Sequence, residues 1–203
     1  MLIELFQKGG PMMWPLLACS LLSLTISIER LSFWLVRARR RRSIELDAVL
    51  ELSTGPREAA LTAARECQDP AAGVLVAGLG HNLAAEAMEN AAIGLLKSSR
   101  RGLKALDTIV TIAPMLGLLG TVTGVIRSFG FFHASGTVDM ALLGSGFAEA
   151  LLTTAFGLSI AILTVVPYNF FRARVQQESE YLSAIGTELE ERLSSREKDG
   201  DTT

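Results

Sequence analysis

A carboxylate and several threonines stand in segments that are otherwise apolar enough to cross a membrane. Glu149 lies in AEALLTTAFGLS, which also contains Thr153 and Thr154, and Thr121 lies in APMLGLLGTVTGVIRSF. A carboxylate beside apolar sequence is costly unless it faces protein or water. Glu149 therefore marks either the outer end of a helix, where its charge suits the helix dipole, or a polar pathway. Each threonine hydroxyl can bond its own helix or serve such a pathway.

The two threonines on different segments are predicted to reach a similar depth. Counted from the ends of their apolar segments, Thr121 and Thr154 both lie about 15 Å in, near the middle of a bilayer. On a helical wheel Glu149 shares a face more naturally with Thr153, four residues on, than with Thr154. Thr153 is therefore kept as a reserve candidate.

Three uncharged runs supply the elements that would carry these side chains. The 203 residues are 49% apolar, and the runs 9–28, 108–126 and 150–171 are each about as long as the roughly 20 helical residues that cross a bilayer. The small net charge of -2 gives no basic field for nucleic acid. We predict an all-α integral membrane protein with three transmembrane helices, the second and third extended into a cytoplasmic helical bundle.

The arginines predict the orientation. RARRRR at 37–42 follows the first run, whereas the connection 131–143 has no lysine or arginine. Because positive charge collects on the cytoplasmic side, the N-terminus is predicted outside and the C-terminus in the cytoplasm. A cleaved signal peptide would carry its charge before the apolar run. The expected segments are an N-out start with the first membrane helix (1–36), a cytoplasmic helical loop (37–106), the second membrane helix (107–130), a short periplasmic turn (131–143), the third membrane helix (144–171) and a cytoplasmic amphipathic tail helix (172–203).

Helix breakers divide the predicted cytoplasmic loop. Gly55-Pro56 and Asp69-Pro70 separate short helices. After Gly80 the alanine-rich sequence predicts a helix that runs on without interruption into the second span. In the tail, apolar residues spaced by three and four predict a stripe that packs against the other helices: Leu182, Ile185, Leu189 and Leu193.

Small residues in the second and third runs predict close helix packing. Helices in lipid gain little from facing apolar side chains, so their association depends on residues that let backbones approach. The glycines are interpreted as positions of close helix packing, and Arg127 is predicted to extend to the outer interface. The packing positions are Gly117, Gly120, Gly124 and Gly157.

No residue pattern indicates an enzyme or a cofactor. The two cysteines and two histidines do not form a metal-ligand or disulfide pattern. Gly144-Ser145-Gly146 could suggest an intramembrane serine protease, but neither histidine lies in a span to act as base. An ionisable group is also absent near the centre of every span, so if the protein conducts protons, a partner must supply the titrating carboxylate.

The membrane segments resemble those of a known family. TIAPMLGLLGTVTGVIRSF, followed by AEALLTTAFGLSIAI and VPYNFF, resembles the paired signature of the ExbB/TolQ/MotA proton-channel family, closest to ExbB-type biopolymer transport proteins. The opening KGGPMMWPLLACSLLSLTISIERL is similar to the first helix of such proteins.

The resemblance implies an inner-membrane subunit that forms a ring, a pentamer in the family, around two copies of a single-span partner resembling ExbD. The partner would contribute a pore aspartate, with Thr121 and Thr154 as pore threonines and Glu149 as the glutamate of the third-helix motif. Proton flow would then drive a TonB-like energy transducer. A TolQ-like subunit of an envelope-maintenance complex and a structural scaffold ring without conduction remain as alternatives.

Overall fold

The chain folds into α-helices throughout its described part. A computed structural model describes residues 9–40, 43–53, 55–80, 84–130 and 140–200, and these residues contain no strand. The predicted all-α class is confirmed. The helices are α1 (Met13–Arg40), α2 (Ser43–Leu52), α3 (Arg57–Glu66), α4 (Ala72–Gly80), α5 (Ala84–Ser99), α6 (Leu103–Gly130) and α7 (Met140–Gly200).

Three of these helices are long and apolar enough to cross a membrane, which confirms the three predicted spans. The segments are Met13–Arg39, Leu103–Phe129 and Leu143–Ser195. Because about 20 helical residues suffice to cross, α7 continues well beyond the length of a span. Large apolar side chains such as Leu21, Val122 and Leu163 are 57%, 50% and 74% exposed, as expected for helices that are surrounded by lipid or by other protein.

The second span does not continue without interruption from the preceding helix, and that expectation was wrong. A turn at 100–102 separates α5 from α6. Gly102 has a φ of +78°, a left-handed conformation that side chains with a Cβ rarely adopt. A Cβ at Gly102 would also lie 2.9 Å from the side chain of Ile26. The helix therefore stops at this glycine despite the alanine-rich sequence before it.

The chain divides into two compact units. The first consists of the described residues of Met1–Arg30 and Gly102–Phe171, and the second of those of Leu31–Arg101 and Arg172–Thr203. The first unit thus contains most of α1, α6 and the apolar part of α7. One cluster of buried apolar residues in this unit comprises Met13, Leu16, Ile109, Ala113 and Ala161.

The second unit contains the short helices and the tail. Its helices end near Gly55-Pro56 and Asp69-Pro70, as predicted, and Asp69 Oδ1 accepts a hydrogen bond from the Ala71 N–H at 2.8 Å. The predicted tail stripe packs inward, since Leu182, Ile185 and Leu189 are buried. Leu189 lies against Gly78, where a Cβ would come within 2.8 Å of it.

An ion pair is buried in the second unit. Arg37 Nη2 lies 2.5 Å from Glu178 Oε1, and the two side chains are 13% and 9% exposed. Arg37 also lies over the Phe33 ring, 5.9 Å from its centroid. The pair joins the end of α1 to the tail part of α7.

Some predicted features lie outside the described residues. These are both histidines, His81 and His133, and most of the predicted periplasmic turn, since 131–139 is not described. The other predicted segment boundaries stay predictions.

Candidate functional site

In the first unit, α6 and α7 approach each other closely along a line of glycines. A Cβ at Gly157 would lie 2.6 Å from the Ala113 carbonyl oxygen, and one at Gly117 would lie 3.0 Å from the Thr153 carbonyl oxygen. A Cβ at Gly124 would lie 2.9 Å from the Gly146 carbonyl oxygen. A Cβ at any of these positions would lie too close to the facing backbone without a shift, so the backbones come nearly into contact. The contact that these glycines make is within one chain.

The close approach brings two predicted threonines together. Thr121 Oγ1 on α6 and Thr154 Oγ1 on α7 lie 2.5 Å apart. The carbonyl oxygen of Gly117 lies 3.2 Å from Thr121 Oγ1 and 3.1 Å from Thr154 Oγ1. Each hydroxyl is thus within hydrogen-bond distance of the Gly117 carbonyl, which belongs to the same helix as Thr121 and to the helix that neighbours Thr154.

This cluster of two hydroxyls and one carbonyl can hold its protons in two ways. Each hydroxyl has one proton to donate and can accept further bonds. Either threonine can donate to Gly117 while the other donates to it, and rotation of both hydroxyls exchanges the two arrangements. In each arrangement the oxygens keep a free lone pair for a further donor. Both side chains are half-buried, so a donor can reach them.

Thr153, the reserve candidate, has a different environment. Its side chain is 0% exposed, and its hydroxyl donates to the carbonyl oxygens of Glu149 and Ala150, 3.0 and 2.9 Å away on the same helix. Its side chain occupies the space beside Gly120, where a Cβ would collide with it. Thr153 thus packs within the helix contact and bonds its own backbone.

Glu149 is buried and paired. It is 9% exposed, and its two carboxylate oxygens lie 3.0 and 3.3 Å from Arg127 Nη1 on α6. The side chain of Arg127 is 50% exposed, so its predicted extension to the outer interface stays a prediction, and the ion pair with Glu149 is an addition to it. An ion pair between neighbouring helices compensates both charges where water is scarce.

The sequence reasoning missed a second pair of hydroxyls. Ser23 Oγ on α1 and Thr164 Oγ1 on α7 lie 2.7 Å apart, with the side chains 7% and 1% exposed. Thr164 also donates to the Ile160 carbonyl oxygen at 2.7 Å. Small polar residues within two apolar runs could have suggested such a contact. The sequence did not indicate which of these residues would meet.

The described residues contain no cluster of three or more histidine, cysteine or acidic side chains that could hold a metal ion. The candidate site consists instead of the threonine pair, the Gly117 carbonyl and the ion pair of Glu149 with Arg127. Along α7, Glu149 precedes Thr154 by five residues, or about 7.5 Å of helix. These groups can donate, accept and exchange hydrogen bonds inside an apolar surrounding.

The candidate site lies within the part of the chain that a protein-family model matches. A family model described as the MotA/TolQ/ExbB proton channel family matches residues 57–184, which include Thr121, Glu149 and Thr154. The chain belongs to this family. The family is one of channels and not of enzymes, and its match agrees with the three apolar helices in assigning the chain to a membrane.

Relatives in the family come from distant organisms. A putative biopolymer transport protein, ExbB-like 1 from Synechocystis, is 36% identical over 93% of this chain and 78% of its own length. Biopolymer transport protein exbB1 from Vibrio cholerae is 34% identical over 80% of this chain and 75% of its own. An ExbB homologue from Methanothermobacter thermautotrophicus is 29% identical over 90% of this chain and 67% of its own.

Proposed function

We propose that the chain is a proton-channel subunit of the bacterial inner membrane that, with an ExbD-like partner, converts proton motive force into mechanical work for TonB-dependent-type transport. The observation that carries the proposal is the contact of Thr121 with Thr154 across two membrane helices. In this assignment the N-terminus is periplasmic and the C-terminus cytoplasmic.

The threonine pair suits a pathway because its protons can be held in two arrangements of equal bonding. A proton that passes through a bilayer also needs a titrating group near the centre, and the uncharged runs 9–28, 108–126 and 150–171 contain no carboxylate, histidine, lysine or arginine. A single-span partner with an aspartate in its helix would supply that carboxylate beside the hydroxyls. The free lone pairs of the threonines could then accept a hydrogen bond from the protonated aspartate or from water.

Self-association into a ring around the partner would cover the exposed apolar side chains of the membrane helices. A pentamer enclosing a partner dimer is the arrangement that the family resemblance implies. The relatives named as ExbB-type biopolymer transport proteins favour this assignment over a TolQ-like role. The driven protein would accordingly be a TonB-like energy transducer.

The test replaces hydroxyl by methyl at nearly constant volume. Thr121→Val and Thr154→Val are each expected to fold and assemble but to abolish proton-driven function, measured as proton flux into vesicles containing the chain and its single-span partner. Serine at either position keeps the hydroxyl and should retain flux. Thr123→Val is the matched control, because the Thr123 hydroxyl bonds the Leu119 and Gly120 carbonyls of its own helix.

Full proton flux in both valine variants would contradict the proposal. It would favour a structural ring in which the hydroxyls only pack. In that case the valine variants would be silent, while larger side chains at Gly117 or Gly120 would still disrupt the assembly.

A further inference from the structure

The turn that precedes α1 has a conformation that depends on glycine. Gly10 has a φ of +68°, in the left-handed region that residues with a Cβ rarely adopt. Its carbonyl oxygen accepts a hydrogen bond from the Met13 N–H at 3.2 Å, which ties the turn to the first turn of α1. Pro11 follows and restricts the backbone further. The position of this turn is therefore well defined relative to α1.

The same glycine lies directly against the Glu149 carboxylate. A Cβ at Gly10 would overlap Glu149 Oε1 and its carboxyl carbon. The carboxylate is thus enclosed by three segments of the first unit: the turn at Gly10, α6 through Arg127, and its own helix. The side chain of Glu149 is 12% exposed, whereas that of Arg127 is 50% exposed.

We propose that the turn at Gly10 covers the Glu149 carboxylate and holds it against Arg127, which makes Gly10 a positioning residue. A side chain at Gly10 would push the turn and the carboxylate apart and admit water to it. The covering depends only on the contacts within this unit. Its importance for conduction rests on the proposed function, in which Glu149 belongs to the pathway.

The experiment measures access to the carboxylate directly. The full chain, in membranes with its partner, is treated with a water-soluble carbodiimide and an amine, and modification of Glu149 is quantified by peptide mass spectrometry. Gly10→Ala is expected to raise the modification rate about tenfold, because the reaction follows the population in which the carboxylate is open to water. Gly144→Ala is the matched control, since a Cβ there meets nothing within 4 Å.

A second variant tests whether the contact itself is responsible. Aspartate at position 149 is shorter by one methylene and withdraws the carboxylate from the turn. In the Glu149→Asp background, Gly10→Ala should therefore change the modification rate far less than it does beside glutamate. An equal increase in both backgrounds would overturn the proposal.

A variant that adds no atoms tests the proposal even if Gly10→Ala does not fold. Pro11→Gly loosens the turn without a steric overlap and should raise the modification rate several-fold. Rates equal to the Gly144→Ala control in Pro11→Gly, or in a folded Gly10→Ala, would overturn the proposal. Modification of Glu149 by carbodiimide does not require proton flux. The proposal for Gly10 and the proposed function can therefore be contradicted independently of each other.

Discussion

The hydroxyl of Ser23 lies 2.7 Å from that of Thr164, and both side chains are buried, so a hydrogen bond joins α1 to α7 within the apolar part of the first unit. Ser23→Ala would leave Thr164 with its intrahelical bond only. Interhelical hydrogen bonds in membrane proteins contribute about 0.6 kcal/mol on average, and we expect a coupling energy of that size between the two positions.

A double-mutant cycle checks this value. Ser23→Ala, Thr164→Val and the double variant are unfolded reversibly by increasing sodium dodecyl sulfate in mixed micelles. Thr25→Ala is the control, because the exposed Thr25 hydroxyl donates to the Leu21 carbonyl of its own helix. A coupling energy of zero between Ser23 and Thr164 would show that the contact does not stabilise the fold.

The glycine that comes closest to backbone atoms of a neighbouring helix predicts a large effect of a single methyl group. In Gly157→Ala the new Cβ would lie 2.6 Å from the Ala113 carbonyl oxygen and 2.9 Å from Gly117 Cα, both of them backbone atoms. We expect a loss of about 1–3 kcal/mol in the free energy of unfolding, as for other overpacked interiors. Gly144→Ala should instead be neutral or stabilising, since that site is open. Equal stability of the two variants would contradict the close approach of α6 and α7.

The buried ion pair of Arg37 with Glu178 predicts an asymmetric response to substitution. Arg37→Met leaves Glu178 buried without its partner and should cost about 3–5 kcal/mol. Arg37→Met with Glu178→Leu removes both charges and should cost less than the single change. Thermal unfolding measures both. Glu188→Ala, which breaks the exposed pair with Arg192, is the control and should cost less than about 1 kcal/mol.

The thiol of Cys67, between α3 and α4, is expected to react slowly at neutral pH. Burial raises its pKa above the ordinary value, and the nearby carboxylates of Glu45 and Asp69 raise it further, although a backbone hydrogen bond at Asp69 opposes them. Because the thiolate is the reactive form, a raised pKa lowers its fraction at a given pH. The alkylation rate should therefore continue to rise at a pH where an ordinary thiol has reached its plateau.

Alkylation by iodoacetamide in a Cys19→Ala background isolates this thiol. Glu45→Gln removes one of the charges that raise the pKa and should shift the pH–rate curve to lower pH. Glu58→Gln offers a control substitution in the same unit. A rate curve for Cys67 that matches a free thiol would show that its surroundings do not disfavour the thiolate.

The three spans and the short helices could be predicted because length, hydropathy and helix breakers are local properties. The break at Gly102 could not, because the alanine-rich sequence before it favours helix and a single glycine is tolerated in many helices. What ends the helix is a left-handed backbone conformation at a point where the Ile26 side chain approaches. Such a contact forms only when distant parts of the chain meet.

Part of the candidate site could be predicted from the sequence and part could not. Counting helical rise placed Thr121 and Thr154 at a similar depth, and the structure brings their hydroxyls together. The partner of Glu149 was not predictable, because an arginine near the end of a span can extend to the interface or pair with a neighbour. Whether the arginine pairs with Glu149 depends on which faces of α6 and α7 meet. The glycines determine those faces through backbone contact between the two helices.

The ion pair of Arg127 with Glu149 also bears on biogenesis. A lone charge at the centre of a membrane helix costs about 2.5–3.5 kcal/mol on insertion, and less near the ends. These two opposite charges stand on consecutive helices, 22 residues apart in sequence. If the two helices entered the bilayer one at a time, each would carry an uncompensated charge. Entry as a helical hairpin presents a neutral pair to the translocon, so the second and third spans are suited to inserting together.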